Sequence, residues 1–366
     1  MKNTRIYNFF NETKRSYDAL SAKGKLFWWG NLIIRYAIYI IIFFLVVYVQ
    51  IFSLRNKSSN NFFTPKAIVD IIKRASAGMF LALGVGGIIV LTGTDLSAGR
   101  IVGLTACFCA SMLQKPLDEY SAKMFPELDA PPIILVMLLS MTIGAMIGAF
   151  NGFFVAKFKL HPFIVTLATQ IILYGALLSY VTLGKNSGGP ISGLTEPYKE
   201  VVKGTITVGG TVIPYYVFYA IIAVIVMWFI WNKTTLGKNM YAVGANPEAA
   251  NVSGVSVMKT TIMIFVLAGI FYGFSGFVEA AQTGSNSPTT GDGKELDAIA
   301  ACVIGGVSFT GGIGKISGIV TGVILLQIIS ISLQWLGIPT AVQYFVTGGI
   351  ILAAVTIDSR KNLVKK

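Results

Sequence analysis

Few of the 366 residues could make or break a covalent bond. His161 is the single histidine, and it lies beside Lys157 and Lys159 and before Pro162, in a stretch that reads as a loop. Nothing around it supports a zinc site or a Ser-His-Asp triad. Cys107, Cys109 and Cys302 sit in apolar runs without a C-x-x-C pair, the pattern of small buried hydrophobes. No G-x-x-x-x-G-K-[ST] run occurs, and the nearest approach, Gly314-Lys315, has Phe309 where the first glycine should be. The chain therefore carries no P-loop, and an enzyme is not expected.

What remains are three polar segments in an apolar chain. The first is Gly93-Thr94-Asp95-Leu96-Ser97-Ala98-Gly99-Arg100. Ionisable groups at membrane depth are costly and face the bundle interior or water. Asp95 or Ser97 could cap the next helix, with glycines making the turn. The same groups could line a pathway or gate where a helix breaks. The second is Val243 to Gly254, in a basic loop. Asn246 is placed to cap a helix of two turns, Pro247 suits its first position, Glu248 favours its first turn, and Gly254 suits its stop. Its small face of Ala249, Ala250 and Ser253 would fit a groove on a partner, although the residues alone equally allow a plain surface helix. The third, Glu295 to Lys315, is a short apolar helix entered through Glu295 and Asp297 and left through a Gly-rich turn. The plain reading is a re-entrant or short span ending in a tight membrane turn; a broken span in each half of the chain is also the pattern of transporter binding sites.

The elements that hold these segments are set by composition. Hydrophobic residues make up 54% of the chain and charged residues only 12%, against roughly 25% charged in a soluble domain. Too little polar side chain exists to cover a soluble protein of this size, so a polytopic membrane protein is expected. A bilayer core of about 30 Å requires roughly 20 helical residues. Ten candidate spans satisfy or approach that length, near 33–53, 75–92, 100–115, 132–156, 163–183, 214–232, 260–280, 297–313, 315–335 and 340–357. The fold class expected is all-α with about ten transmembrane helices, broken or short near 93–100 and 297–314. A basic segment, 1–30, precedes one transmembrane domain over 31–358, and a basic tail, 359–366, follows it.

Orientation follows from Lys and Arg in short loops. With the N-terminus in the cytoplasm, the inner loops 157–162 and 233–259 and the tail are basic, whereas the outer loop 116–131 carries Asp118, Glu119, Glu127 and Asp129. The other outer loops are 184–213 and 281–296. The loop 54–74 breaks the pattern with Arg55, Lys57, Lys66, Lys73 and Arg74, and part of it reads as an interfacial helix. The net charge of +13 then falls on the inner side, as a topology signal rather than a nucleic-acid patch. Glycines recur every fourth position at Gly144, Gly148 and Gly152, at Gly314, Gly318 and Gly322, and at Gly269 and Gly273. Such spacing lets backbones approach in lipid, within the bundle or, as the minority reading, at a subunit interface.

Four stretches carry a resemblance: Gly93 to Gly103 (GTDLSAGRIVG), Trp231 to Lys238 (WNKTTLGK), Gly244 to Gly254 (GANPEAANVSG) and Glu295 to Gly314 (ELDAIAACVIGGVSFTGGIG). Over about 65–358 the chain resembles the permease subunits of bacterial ABC sugar importers of the ribose, xylose and galactose group, most of all the galactose/methyl-galactoside permeases. The resemblance implies a permease that works in pairs in the plasma (inner) membrane. Two ATPase subunits lie beneath it and a soluble sugar-binding protein docks from outside. It implies that Gly244, Asn246, Pro247, Glu248, Ala249, Ala250, Ser253 and Gly254 couple to the ATPase. ATP and Mg would then be held by those partner subunits, with no cofactor on this chain. A hexose needs a polar route, for which Asp95, Ser97, Asn151 and Gln170 are candidate pathway or gate residues. The same machinery carrying ribose, another pentose or a nucleoside is the alternative, and an ion-coupled carrier a remote one.

Overall fold

The computed structural model describes residues 40, 42–55, 62–116, 119 and 122–363. The basic segment 1–30 and the last three residues of the tail lie outside the described residues. The helices are α1 (Ile42–Arg55), α2 (Pro65–Val90), α3 (Ala98–Met112), α4 (Ile133–Phe158), α5 (Pro162–Val181), α6 (Glu196–Lys203), α7 (Tyr215–Lys233), α8 (Thr235–Ala245), α9 (Pro247–Val252), α10 (Val257–Thr283), α11 (Lys294–Ile304), α12 (Ile316–Trp335) and α13 (Thr340–Leu363).

Each of the ten expected spans contains a helix, but they are not ten equal crossings. Five, α4, α5, α7, α10 and α12, are long and apolar enough to cross a membrane by themselves. At 1.5 Å per residue α3 reaches about 22 Å and α11 about 17 Å, both short of the roughly 30 Å of hydrocarbon. These are the broken elements expected near 93–100 and 297–314. Within 54–74, residues 65–74 are the first turns of α2, continuous with the apolar stretch that follows. Thr64 Oγ1 accepts from the Ala67 N–H at 3.3 Å, and Pro65 follows at the first helical position, so the helix starts there. The tail expected at 359–366 begins within α13, which runs to Leu363.

The core is built on α10. Two-thirds of its most apolar window (67%) is buried, against 22% for α4. It packs against α4, α3 and α2, and α2 is buried continuously from Met79 to Val90. Where α4 meets α10, Gly144, Gly148 and Gly152 lie directly on the backbone of Gly269, Phe265 and Ile262, and a Cβ at any of them would collide with it. Gly318 and Gly322 meet Gly305 and Ala301 in the same way. The glycine repeats therefore serve packing inside one bundle, the first of the two readings. The outward faces of α4, α5 and α7 carry large exposed apolar side chains such as Ile134, Leu138, Ile171 and Phe229, the composition of a lipid-facing surface.

The loop 184–213 is more ordered than expected. It holds α6, whose buried Tyr198 and Val202 lie four residues apart, and a hairpin of β1 (Thr205–Val208) and β2 (Thr211–Pro214). Both turn residues, Gly209 and Gly210, have positive φ, as a two-residue type I′ turn requires. This hairpin is the one departure from the all-α expectation among the described residues. Hydrogen bonds to Lys199 at 2.9 Å and ion pairing with Lys115 at 3.2 Å hold the exposed Glu196 carboxyl below its usual range. That pairing ties α6 to the segment after α3.

Candidate functional site

Two sites matter, and they meet. The first is the break between α2 and α3. Helix α2 ends with Thr92 at φ +64 and with the Gly93 N–H bonded to the Ile88 carbonyl at 2.9 Å. A β-branched residue in that left-handed region is strained, so the surrounding structure must hold it there. Asp95 then folds over the next two residues. Its Oδ1 accepts the Ser97 N–H at 2.9 Å and the Ser97 hydroxyl at 2.6 Å. The Ser97 side chain makes no cap bond of its own, so the start of α3 is met by a carboxylate from two residues upstream, where the helix dipole favours negative charge.

From Ser97 the network leaves the break. Asn151 Nδ2 of α4 donates to Ser97 Oγ at 2.9 Å, and Thr169 Oγ1 of α5 donates to Asn151 Oδ1 at 2.6 Å. Thr166 adds a second clasp: its hydroxyl donates to the Thr94 carbonyl at 3.0 Å and accepts the Leu96 N–H at 3.1 Å. Asp95, Ser97, Asn151, Thr166 and Thr169 are all buried. Of the four candidate pathway residues, the structure brings together Asp95, Ser97 and Asn151. Gln170 is half-buried, one residue past Thr169 on α5, and outside the network. Thr166 and Thr169 were missed because threonine in an apolar helix reads as ordinary packing; their spacing of three, facing an asparagine, was the available signal.

Arg100 does not pair with Asp95. It is bound to Asp292 Oδ1 at 2.7 Å and to the Pro288 carbonyl at 3.0 Å, and its guanidinium lies 4.4 Å from the centre of the Tyr174 ring. It thereby fixes the loop between α10 and α11 against α3. Gly99 and Gly103 give that loop room, since a Cβ on either would strike the backbone at Gly291 or Thr290.

The second site is the turn between α8 and α10. Asn246 Oδ1 accepts the Ala249 N–H at 2.9 Å, and Pro247 and Glu248 follow in the first turn of α9. The stop is made by Gly254 at φ +84, with the Val255 N–H on the Ala250 carbonyl at 3.0 Å. The expected capped helix is present and is six residues long. Its small face is not as expected: Ala250 is buried against the bundle, while Pro247, Glu248, Ala249 and Ser253 are exposed. Val252 stands out at the tip, 89% exposed, and was not among the expected residues.

Gly244 belongs to a different contact. A Cβ there would strike the Val90 carbonyl and the Gly312 nitrogen. Gly311, at φ +81, lies on the Gly244 carbonyl and the Thr92 side chain. The Gly312 N–H donates to the Val90 carbonyl at 2.9 Å, and the Tyr241 hydroxyl donates to the Gly314 carbonyl at 2.9 Å. The end of α2, the end of α8 and the Gly-rich turn after α11 thus meet backbone to backbone. The three polar segments of the sequence form one junction, from which α9 projects on one side and the Asp95 network begins on the other.

A family profile described as "Branched-chain amino acid transport system / permease component" matches residues 67–355. The galactose/methyl galactoside import permease protein MglC of Salmonella typhimurium is 47% identical over 298 residues, which cover 81% of this chain and 87% of that protein. The Escherichia coli K12 protein of the same name shows the same identity and coverage. The ribose import permease protein RbsC of Bacillus subtilis is 32% identical over 318 residues, covering 87% of this chain and 91% of that protein. No solved structure matches the chain. With the profile spanning most of its length and these permeases aligned over four-fifths of it, the chain belongs to the branched-chain amino acid transport system permease-component family of multi-pass membrane proteins.

Proposed function

We propose that this chain is the membrane permease of an ATP-driven ABC importer, moving a neutral monosaccharide, galactose or a methyl galactoside, into a bacterial cytoplasm. It works as one of a pair in the plasma membrane. ATP and Mg are bound by separate ATPase subunits that dock on α9, and a sugar-binding protein delivers the sugar at the opposite end. The chain termini lie on the α9 side. The observation that carries the reading is the tip of α9: a fully capped helix, joined to a backbone junction at its base, that ends in exposed Glu248 and Val252. Membrane insertion has no use for such a helix, whereas a groove on a partner does. The 47% identity to permeases named for galactose supports the sugar over ribose, whose named permease stands at 32%.

The junction suggests how force is transmitted. ATP-driven closure of the partner subunits moves α9, and α8 carries that motion into Val90, Thr92 and Gly312. The buried Asp95–Ser97–Asn151–Thr169 chain acts as the latch of the gate at the break, with Gln170 beside it. Charge reversal at Glu248→Arg and apolar removal at Val252→Asp test the docking. Each variant should fold and lose co-purification with the ATPase subunit. A complex that survives both changes would show that the ATPase docks elsewhere.

A further inference from the structure

A hexose needs a place to rest in the bundle, and the Asp95 network offers none, because its members are buried and bonded to one another. The hollow lined by Met141, Phe271 and Phe274 is almost wholly apolar and cannot receive a hydroxyl-rich solute. A third cavity differs. It lies between α2, α10, α11 and α12, with a volume of about 290 Å³, near the low end of the roughly 300–1,000 Å³ usual for small-molecule sites. Arg74, Ser275, Lys294, Asp297 and Gln327 line it, over small residues of α2 and α11 that include Ala77, Gly78 and Ala298.

Three features of this cavity point to a neutral polyol. First, among the described residues no hydrogen bond engages the Ser275 hydroxyl, the Asp297 carboxylate or the Gln327 amide, which leaves both donors and acceptors open. Second, the cations are offset. Lys294 Nζ pairs with Glu279 Oε2 at 2.6 Å, Arg74 Nη1 is engaged by Gln334 Oε1 at 2.9 Å, and Arg74 and Asp297 are opposite in sign. The site therefore has no net charge to hold an ion. Third, the Ala and Gly floor accepts the C–H face of a ring.

The cavity stands away from the junction. Its stretch of α2, Arg74 to Ala82, lies about 12–24 Å along the helix from the junction at Val90, at 1.5 Å per residue. Between the two, Gly86 packs on the tip of the Ile319 side chain, and Gly305 lies on the Gly318 backbone without room for a Cβ. We propose that this cavity is the sugar subsite of the transport route. In it Asp297 accepts from adjacent hydroxyls of one pyranose, Gln327 and Ser275 complete the hydrogen bonding, and the glycine contacts below form the seal toward α9. This rests on the sugar-permease reading above.

The test uses the complete complex of permease, ATPase and binding protein in proteoliposomes. Wild-type uptake of labelled D-galactose establishes the permease reading, and its failure would count against that reading alone. Asp297→Asn should lower uptake by about ten-fold or more, the scale of one charge-assisted hydrogen bond, and Gln327→Ala by roughly two- to ten-fold, the scale of a neutral one, with assembly and ATP hydrolysis retained. A second variant covers any failure of these to fold. Cys107, Cys109 and Cys302 are fully buried, so a hydrophilic thiol reagent should label Ala77→Cys selectively, and excess D-galactose should slow that labelling. Wild-type uptake by both polar variants, or labelling of Ala77→Cys indifferent to galactose, would overturn the proposal.

Discussion

Asn151 is the centre of the proposed latch: it joins Ser97 at the break to Thr169 of α5, beside the direct clasp made by Thr166. Replacing it with Ala leaves the Ser97 and Thr169 hydroxyls without that partner in a buried site. A buried polar group stripped of its partner costs about 1–3 kcal/mol, although hydrogen bonds between membrane helices average nearer 0.6 kcal/mol. Asn151→Ala should therefore lower the thermal unfolding temperature modestly in detergent and raise the leak of sugar through the closed permease. An unchanged leak would remove the latch role. Asp95, Ser97 and Asn151 were recognisable in sequence because polar groups at membrane depth are costly. Their partners Thr166 and Thr169 were not, because threonine can satisfy itself on its own helix. Arg100 shows the limit of proximity in sequence: five residues from Asp95, it is paired with Asp292 instead.

At the scale of elements, every apolar run of near-spanning length became a helix, because backbone groups in lipid have no other partner. What sequence did not reveal lies in the polar stretches. Helix α6 and the hairpin occupy a loop that hydropathy leaves blank, and α8 continues from α7 after a single residue, with Thr234 Oγ1 accepting the Gly237 N–H at 3.3 Å. Val252 was overlooked because one apolar residue in a capped helix reads as its inward face, whereas Ala250 holds that place. The junction around Gly244 makes a sharper prediction. Gly244→Ala places a methyl group against the Val90 carbonyl, an overpacking that costs typically about 1–3 kcal/mol. The α9 tip is untouched, so ATPase binding should persist while ATP hydrolysis no longer drives uptake. Loss of binding and uptake together would mean that the junction only supports the fold. Gly269→Leu, by contrast, drives a side chain into the α4 backbone, and should abolish stable expression altogether.

For the whole molecule, the chain's basic excess and its apolar belt describe one object: a bundle with a lipid-facing wall, an ordered polar cap at one end and a projecting helix at the other. In the mechanism proposed above, energy enters at the α9 end and passes through the backbone junction, whose contacts are built on glycine. In that mechanism the energy comes from the separate ATPase subunits. Transport should therefore depend on ATP through α9, and accumulation of labelled D-galactose in proteoliposomes tests that dependence most directly. Vesicles holding the permease, its ATPase and its binding protein should concentrate the sugar only with ATP on the ATPase side, and should lose that ability with Glu248→Arg. Accumulation that continues without the ATPase subunit, driven by an ion gradient, would contradict the account.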